Sequence, residues 1–218
     1  MRTGQELAAF LRRRGIGDDR VVAAIAAVPR ELFVPEELQQ RAYDDRALPI
    51  GHGQTISQPF MVATICAALE LDADARVLDV GTGSGYQAAV LAEIAAEVVT
   101  IERLPELAER ARETLARAGY GRVEVRVGDG TLGVPERAPF DGIAVAAAAP
   151  AVPDTLYEQL SVGGRVVLPV GSLHDQWLEV VERRADGPKV ARSVPCRFVP
   201  LVGAAGFGES QAGYLAAE

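Results

Sequence analysis

Apolar positions recur every three or four residues through the first thirty residues of the chain. Leu7, Ala8, Phe10 and Leu11 share one face, and Val21, Val22, Ile25 and Val28 share another after Asp18, a residue type suited to a helix N-cap. Pro29 ends the second helix, since proline removes a backbone donor and clashes with the preceding turn. From Phe33 to Gln58 the periodicity is lost, with Pro35, Pro49, Gly51 and Gly53 as breakers, so ordered loops with room for one short strand are expected. A loop of that length in a compact chain is often functional. Helical spacing resumes with Pro59 in the first turn and Val62, Ile65, Cys66 and Leu69 on the buried face.

From Arg76 the pattern alternates. The run Val77–Val80 reads as a strand, followed by a glycine turn, a helix to about Ile94, a strand over Val98–Ile101 and a helix from Pro105 to about Arg117. Leu107, Ala108, Ala111 and Leu115 form the buried stripe of that last helix, with Glu106/Arg110 and Glu113/Arg117 paired outside. Val123–Val127, Gly142–Ala146 and Arg165–Val170 supply further strands, separated by a helix from about Pro153 to Leu160 and a turn at Gly163–Gly164. Strands this uniformly apolar fit a parallel sheet covered on both faces. Trp177–Glu182 and Val190–Val199 instead alternate around Asp186–Pro188, which predicts an antiparallel hairpin on the sheet edge. The expected architecture is a three-layer α/β sandwich with a helical amino-terminal extension.

Composition narrows the class. Among 218 residues 49% are apolar and 24% charged, which excludes a disordered chain, and the two cysteines exclude a disulfide-stapled miniature. Cys66 and Cys196 lack partners at metal-ligand spacing, so reduced core thiols and no metal are expected. The longest apolar stretches, Val21–Val28 and Ile143–Pro153, fall short of the roughly 20 residues that cross a bilayer. The amino terminus lacks the features of a secretory signal, so a cytoplasmic location is expected. A net charge of −8 repels nucleic acid and anionic membranes, and neither is an expected partner. Twenty-one of the 22 basic residues are arginine, so the clusters Arg12–Arg14 and Arg183–Arg184 read as solvated faces.

The turn after the first core strand, Asp79-Val80-Gly81-Thr82-Gly83-Ser84-Gly85, lies where open α/β sheets bind ligands. Glycines there allow close backbone approach, and the following helix offers free N–H donors. Glu102 ends the next strand, placed to accept two ribose hydroxyls, and Asp129 ends the third, placed to accept from an adenine amino group. A dinucleotide fingerprint would carry a third glycine where Tyr86 stands, which disfavours a pyrophosphate. The G-x-G-x-G turn with its acids resembles the S-adenosylmethionine site of Rossmann-like methyltransferases. Caps and turns in coincidental register are the competing reading.

No Asp or Glu occurs between Arg46 and Leu69, in an acidic chain. The segment Gly51–Pro59 within it is rich in hydrogen-bond donors and precedes a helix start, which suits a carboxylate ligand. On composition alone, a polar connector without a ligand is the simpler reading.

Residue identities add a resemblance. Val28–Pro35, Leu48–Pro59 and Gly81–Ala88 strongly resemble protein-L-isoaspartate O-methyltransferases of the bacterial type. Tyr120, Gly128–Gly130, Pro139–Asp141, Ala147–Pro150, Gly163–Arg165 and Arg197–Leu201 extend the match over roughly residues 1–207. The resemblance implies a Rossmann-like S-adenosylmethionine-dependent methyltransferase acting on the α-carboxylate of L-isoaspartyl residues in damaged proteins or peptides, with repair proceeding through succinimide. By the same carry-over, Thr55, Ile56 and Ser57 belong to the meeting point of substrate and methyl donor, with Ser57 in the catalytic role. Asp79, Gly81, Gly83, Ser84, Gly85, Glu102, Asp129 and Gly130 match cofactor-binding positions. Ala146 departs from the Thr of many bacterial members, at a spot that needs only a small side chain, and Gly208–Glu218 follows no pattern of the family. One domain is expected over 1–218: extension and substrate loop (1–58), Rossmann-like core (59–207) and tail (208–218), acting as a monomer.

An isoaspartyl carboxylate is ionised at neutral pH, so its methylation needs alignment and not a general base. Ser57 therefore reads as orienting the carboxylate, while His52 and His174, the only histidines, are not required. A relative that methylates ordinary Asp in a dedicated peptide, forming aspartimide, and a non-catalytic cofactor-binding module stay as alternatives. A nucleic-acid methyltransferase is disfavoured by the acidic balance and the lack of a basic aromatic groove.

Overall fold

The computed structural model describes residues 1–210. The chain opens with α1 (Gly4–Arg13) and α2 (Asp19–Ala27), capped by the Thr3 and Asp18 side chains as their residue types suggest. Two 3₁₀ turns follow, Arg30–Phe33 and Glu36–Arg41, and then a small hairpin of β1 (Leu48–Gly51) and β2 (Gln54–Ile56). The loop region predicted between Phe33 and Gln58 thus holds two short strands, paired with each other and apart from the main sheet.

The core runs α3 (Pro59–Ala68), β3 (Arg76–Val80), α4 (Tyr86–Ile94), β4 (Glu97–Glu102), α5 (Pro105–Arg117), β5 (Glu124–Val127), β6 (Phe140–Val145), α6 (Asp154–Glu158), β7 (Leu160–Gly171), β8 (Gln176–Arg184) and β9 (Gly187–Cys196). The seven strands lie in the order β5-β4-β3-β6-β7-β8-β9. β5 to β7 around β3 are parallel, and β8 and β9 extend the sheet antiparallel, as the change in patterning at Trp177 predicts.

Alternation along the strands divides the core. Val77, Val98, Ala144 and Val167 join an apolar cluster with α1 to α4, Leu107 and Leu115. Leu78, Val99, Ile143 and Val166 join a second with Leu156 of α6. The outer layers are unequal: five helices share the first cluster, whereas only α6, 3₁₀ turns and loops attend the second. α6 is shorter than the helix predicted over Pro153–Leu160, because β7 already begins at Leu160. Gly163 and Gly164, predicted as a turn before the strand, lie inside β7 at an irregularity in its register with β6; Gly163 has φ +91°.

β3 is central. The chain first adds β4 and β5 on one side of it and then crosses to β6 and β7 on the other, so a crevice opens at the carboxyl ends of β3 and β6. Among the described residues no helix is long and apolar enough to cross a membrane. Residues 211–218 of the unassigned tail lie outside the described residues.

Candidate active site

A cavity of about 780 Å³ occupies that crevice. Its floor is the turn after β3, where Gly81, Gly83 and Gly85 have φ of +90°, +52° and +89°. Side chains other than glycine rarely adopt such backbone, so the G-x-G-x-G spacing is a conformational requirement. Gly81, Thr82, Gly83 and Ser84 line the cavity, whereas Gly85 turns away to cap α4, and a Cβ there would sit 3.1 Å from Leu115.

Glu102, at the end of β4, lines the cavity with its carboxylate fixed: one oxygen accepts from the Gly83 amide at 2.9 Å and the other from the Leu104 amide at 3.0 Å. Each oxygen keeps a further lone pair for a hydroxyl donor. Thr55, Ile56, Ser57 and Gly130 line the same space. Ser57 follows the β1–β2 hairpin and precedes the Pro59 that starts α3, so a segment distant in sequence is brought over the glycine turn. The fourth wall is Pro195–Val202, leaving β9. It is held by the Ala148 amide donating to Val199 and the Leu201 amide donating to Ala148.

Asp79, Gly85 and Asp129, expected among the cofactor-binding residues, are not among the residues that line the cavity. Asp79 is sealed from solvent, accepting from Thr100 Oγ1 and Gln87 Nε2, both at 2.8 Å. Since the Thr100 hydroxyl donates to Asp79, the Thr82 hydroxyl donates to Thr100 at 2.7 Å, and the buried carboxylate fixes the turn through this chain. Asp129 accepts from the amide and hydroxyl of Thr131 at 2.9 and 2.7 Å and from the Ala204 amide at 2.7 Å. Partial burial opposes its charge, but these donors and nearby Arg103 prevail and hold the carboxyl below the usual aspartate range. Its bonds latch the segment after β9 onto the core.

Two lining features lay outside the sequence expectations. Arg197–Leu201 carried a resemblance without a role, although β9 leaves the sheet near the cavity. Gln87 lines the cavity, and its Oε1 is buried without a hydrogen-bond partner among the described residues. An orphaned acceptor costs free energy unless a ligand or water donates to it. With the open glycine backbone and the Glu102 acceptor, it fits a nucleoside bearing donor groups.

A parallel sheet with a glycine turn and a strand-terminal carboxylate at its switch point defines a Rossmann-like nucleoside-binding fold, and the lack of a third glycine at Tyr86 sets it apart from the dinucleotide-binding class. A sequence model of the family described as Protein-L-isoaspartate(D-aspartate) O-methyltransferase matches residues 2–206. The protein-L-isoaspartate O-methyltransferase of Methanoculleus marisnigri is 53% identical over 208 residues, covering 94% of each chain. Protein-L-isoaspartate O-methyltransferase 2 of Marinobacter nauticus is 56% identical over 196 residues, 89% of this chain and 90% of its own. A solved protein-L-isoaspartate O-methyltransferase superposes with a TM-score of 0.84 at 30% identity, covering 94% of this chain and 67% of its own. A Plasmodium falciparum chain described as a protein-L-isoaspartate O-methyltransferase (beta-aspartate methyltransferase), solved in complex with S-adenosyl-L-homocysteine, superposes with a TM-score of 0.80 at 26% identity, covering 93% of this chain and 99% of its own. The chain belongs to the protein-L-isoaspartate O-methyltransferase family.

Burial pushes the Asp79 carboxyl up to about 6, against the Gln87 and Thr100 donors that pull it down. The folded chain therefore holds this proton more tightly than the unfolded chain, and the associated stability, complete below about pH 4, is lost as pH rises through about 6. Asp79→Asn removes the titration. Urea unfolding is expected to show the variant gaining on the parent by up to roughly 3 kcal/mol between pH 4 and pH 7. A constant difference across that range would refute the assignment.

Proposed function

We propose that this chain transfers a methyl group from S-adenosylmethionine to the α-carboxylate of L-isoaspartyl residues in damaged proteins and peptides. The carrying observation is that one cavity joins the acid-free segment ending at Ser57 to the glycine turn and Glu102. When bound, S-adenosylmethionine supplies an electrophilic methyl group and a positive sulfonium. Glu102 takes the ribose hydroxyls with a carboxylate already oriented by two amides. Gly81, Gly83 and Gly130 let backbone approach the nucleoside, and Ser84 and Gln87 offer polar contacts beside it. Asp79, Gly85 and Asp129 hold this surface in shape.

Ser57 orients the substrate carboxylate by hydrogen bonding, with Thr55 and Ile56 beside it. The carboxylate arrives ionised, so no residue need remove a proton, and the work of the site is to align it and exclude water. Residues 1–58 serve as cover and substrate loop for the core at 59–207, and the tail from Gly208 is given no role. Cys66 and Cys196 are both free, which suits a reducing cytoplasm.

Matched isoaspartyl and aspartyl peptides test the reading: methyl transfer from labelled donor is expected to favour the isoaspartyl peptide by at least about 100-fold. Preference for the aspartyl peptide would instead identify an aspartimide-forming relative. Ser57→Ala is expected to lower kcat/KM about 10- to 100-fold while calorimetric affinity for S-adenosylhomocysteine stays within about twofold. Glu102→Ala is expected to weaken that affinity by about 10- to 100-fold, and an unchanged Kd would remove Glu102 from the ribose role.

A further inference from the structure

Arg30 is fully buried and takes part in no ion pair among the described residues. Burial pulls its pKa below the ordinary arginine value, the signature of a guanidinium kept from water against a cost. The nearby carboxylate, Asp45, is engaged elsewhere, by Arg14 Nη1, Gln58 Nε2 and the Phe60 amide, all at 2.9 Å.

Three contacts show what Arg30 does there. Its Nε donates to the Ala42 carbonyl at 2.7 Å, and its Nη2 donates to the Ser57 carbonyl at 2.8 Å. Ala42 precedes the β1–β2 hairpin and Ser57 follows it, so one rigid fork joins the two feet of that loop. The guanidinium carbon lies 4.5 Å from the centroid of the Tyr86 ring, and Tyr86 is the first residue of α4 after the glycine turn. Phe33 packs on the same ring edge-to-face at 5.7 Å. The remaining donor, Nη1, makes no hydrogen bond of good geometry among the described residues, although the Tyr86 side chain and the Asp45 carboxylate favour the charge.

We propose that Arg30 is a positioning residue for the carboxylate end of the cavity, fixing Ser57 relative to the glycine turn and placing a buried positive charge behind it. This rests on the proposed activity. The fork sets alignment and acts on kcat, while the charge favours an arriving anion and acts on KM. Lysine cannot bond two carbonyls in the fixed geometry of the fork, and at a site this buried an ammonium gives up its proton far more readily than a guanidinium.

The test compares Arg30→Met and Arg30→Lys with the parent, after thermal unfolding has established that each is folded. Arg30→Met is expected to raise the isoaspartyl-peptide KM and lower kcat, each by about tenfold, with S-adenosylhomocysteine affinity by calorimetry within about twofold. Arg30→Lys is expected to keep kcat about tenfold low throughout, and to bring KM back to within about threefold only at the acid end of the pH profile, where the buried ammonium is protonated. Folded variants within about twofold of the parent in both constants, or an equal loss of S-adenosylhomocysteine affinity, would overturn the proposal. Should neither variant fold, the parent decides: its Arg30 Nε–H resonance is expected to shift when isoaspartyl peptide is added to the S-adenosylhomocysteine complex, and an unmoved resonance refutes the role. Failure of the parent to methylate the peptide counts against the proposed activity alone, since the resonance titration still judges Arg30.

Discussion

The turn after β3 is held by two carboxylates that do different work. Glu102 accepts from the Gly83 amide at the cavity wall, and Asp79 fixes Thr82 from behind through Thr100. A glycine-rich turn has more backbone freedom than any other, and that freedom must be removed before the turn can present a defined surface. Here side-chain acceptors remove it. The register of β3 with β4, Asp79 beside Thr100 and Val80 beside Ile101, makes both bonds possible, because it delivers the two strand ends together. The site thus depends on the pairing of two parallel strands before any ligand is considered.

The amino-terminal extension is equally part of the site. α4 is buried on nearly all its faces, from Tyr86 through Ile94, because α2 and α3 cover the side the sheet does not. A helix buried all round shows little apolar stripe, which is why the glycine turn before it, more than periodicity, announces α4. The same cover carries Ser57. Arg20 donates to the Leu71 carbonyl and Arg110 Nη2 to the Ile50 carbonyl at 2.9 Å, so the extension and hairpin are tied to the core at several points. Substrate and cofactor halves of the cavity are therefore not independent modules.

Much of this was legible in the residues. The apolar runs of the core strands, the Asp18 cap, the switch to an antiparallel edge near Trp177 and the G-x-G-x-G turn each follow from local rules that tertiary packing leaves intact. What sequence could not convey is which way a side chain faces. Asp79 shares a face of β3 with Val77, toward α4, so strand alternation aims it at Gln87 and not at the crevice that the next residue, Val80, lines. Asp129 follows β5 near the crevice as expected, but Thr131 bonds its Oδ1 and the Ala204 amide after β9 bonds its Oδ2, the latter a contact spanning 75 residues. The β1–β2 hairpin escaped for a related reason: three- and four-residue strands with a bulge leave no period to detect.

Charge poses the last problem, since a chain of net charge −8 must admit an anion. At physiological ionic strength the Debye length is about 8 Å, so exposed carboxylates across the molecule count little and the groups around the cavity decide. Of the acids that line it, Glu102 is neutralised in part by two amide donors and Glu209 by Arg103 at 3.4 Å. The segment carrying Ser57 contributes none, and Arg30 stands buried behind it with a spare donor. Burial matters here, because a guanidinium removed from water acts through a lower effective dielectric than a surface arginine does, while the nearby Asp45 carboxylate is already engaged by Arg14, Gln58 and the Phe60 amide. An acidic protein can keep a local field suited to carboxylates, provided the charge that makes it is inside.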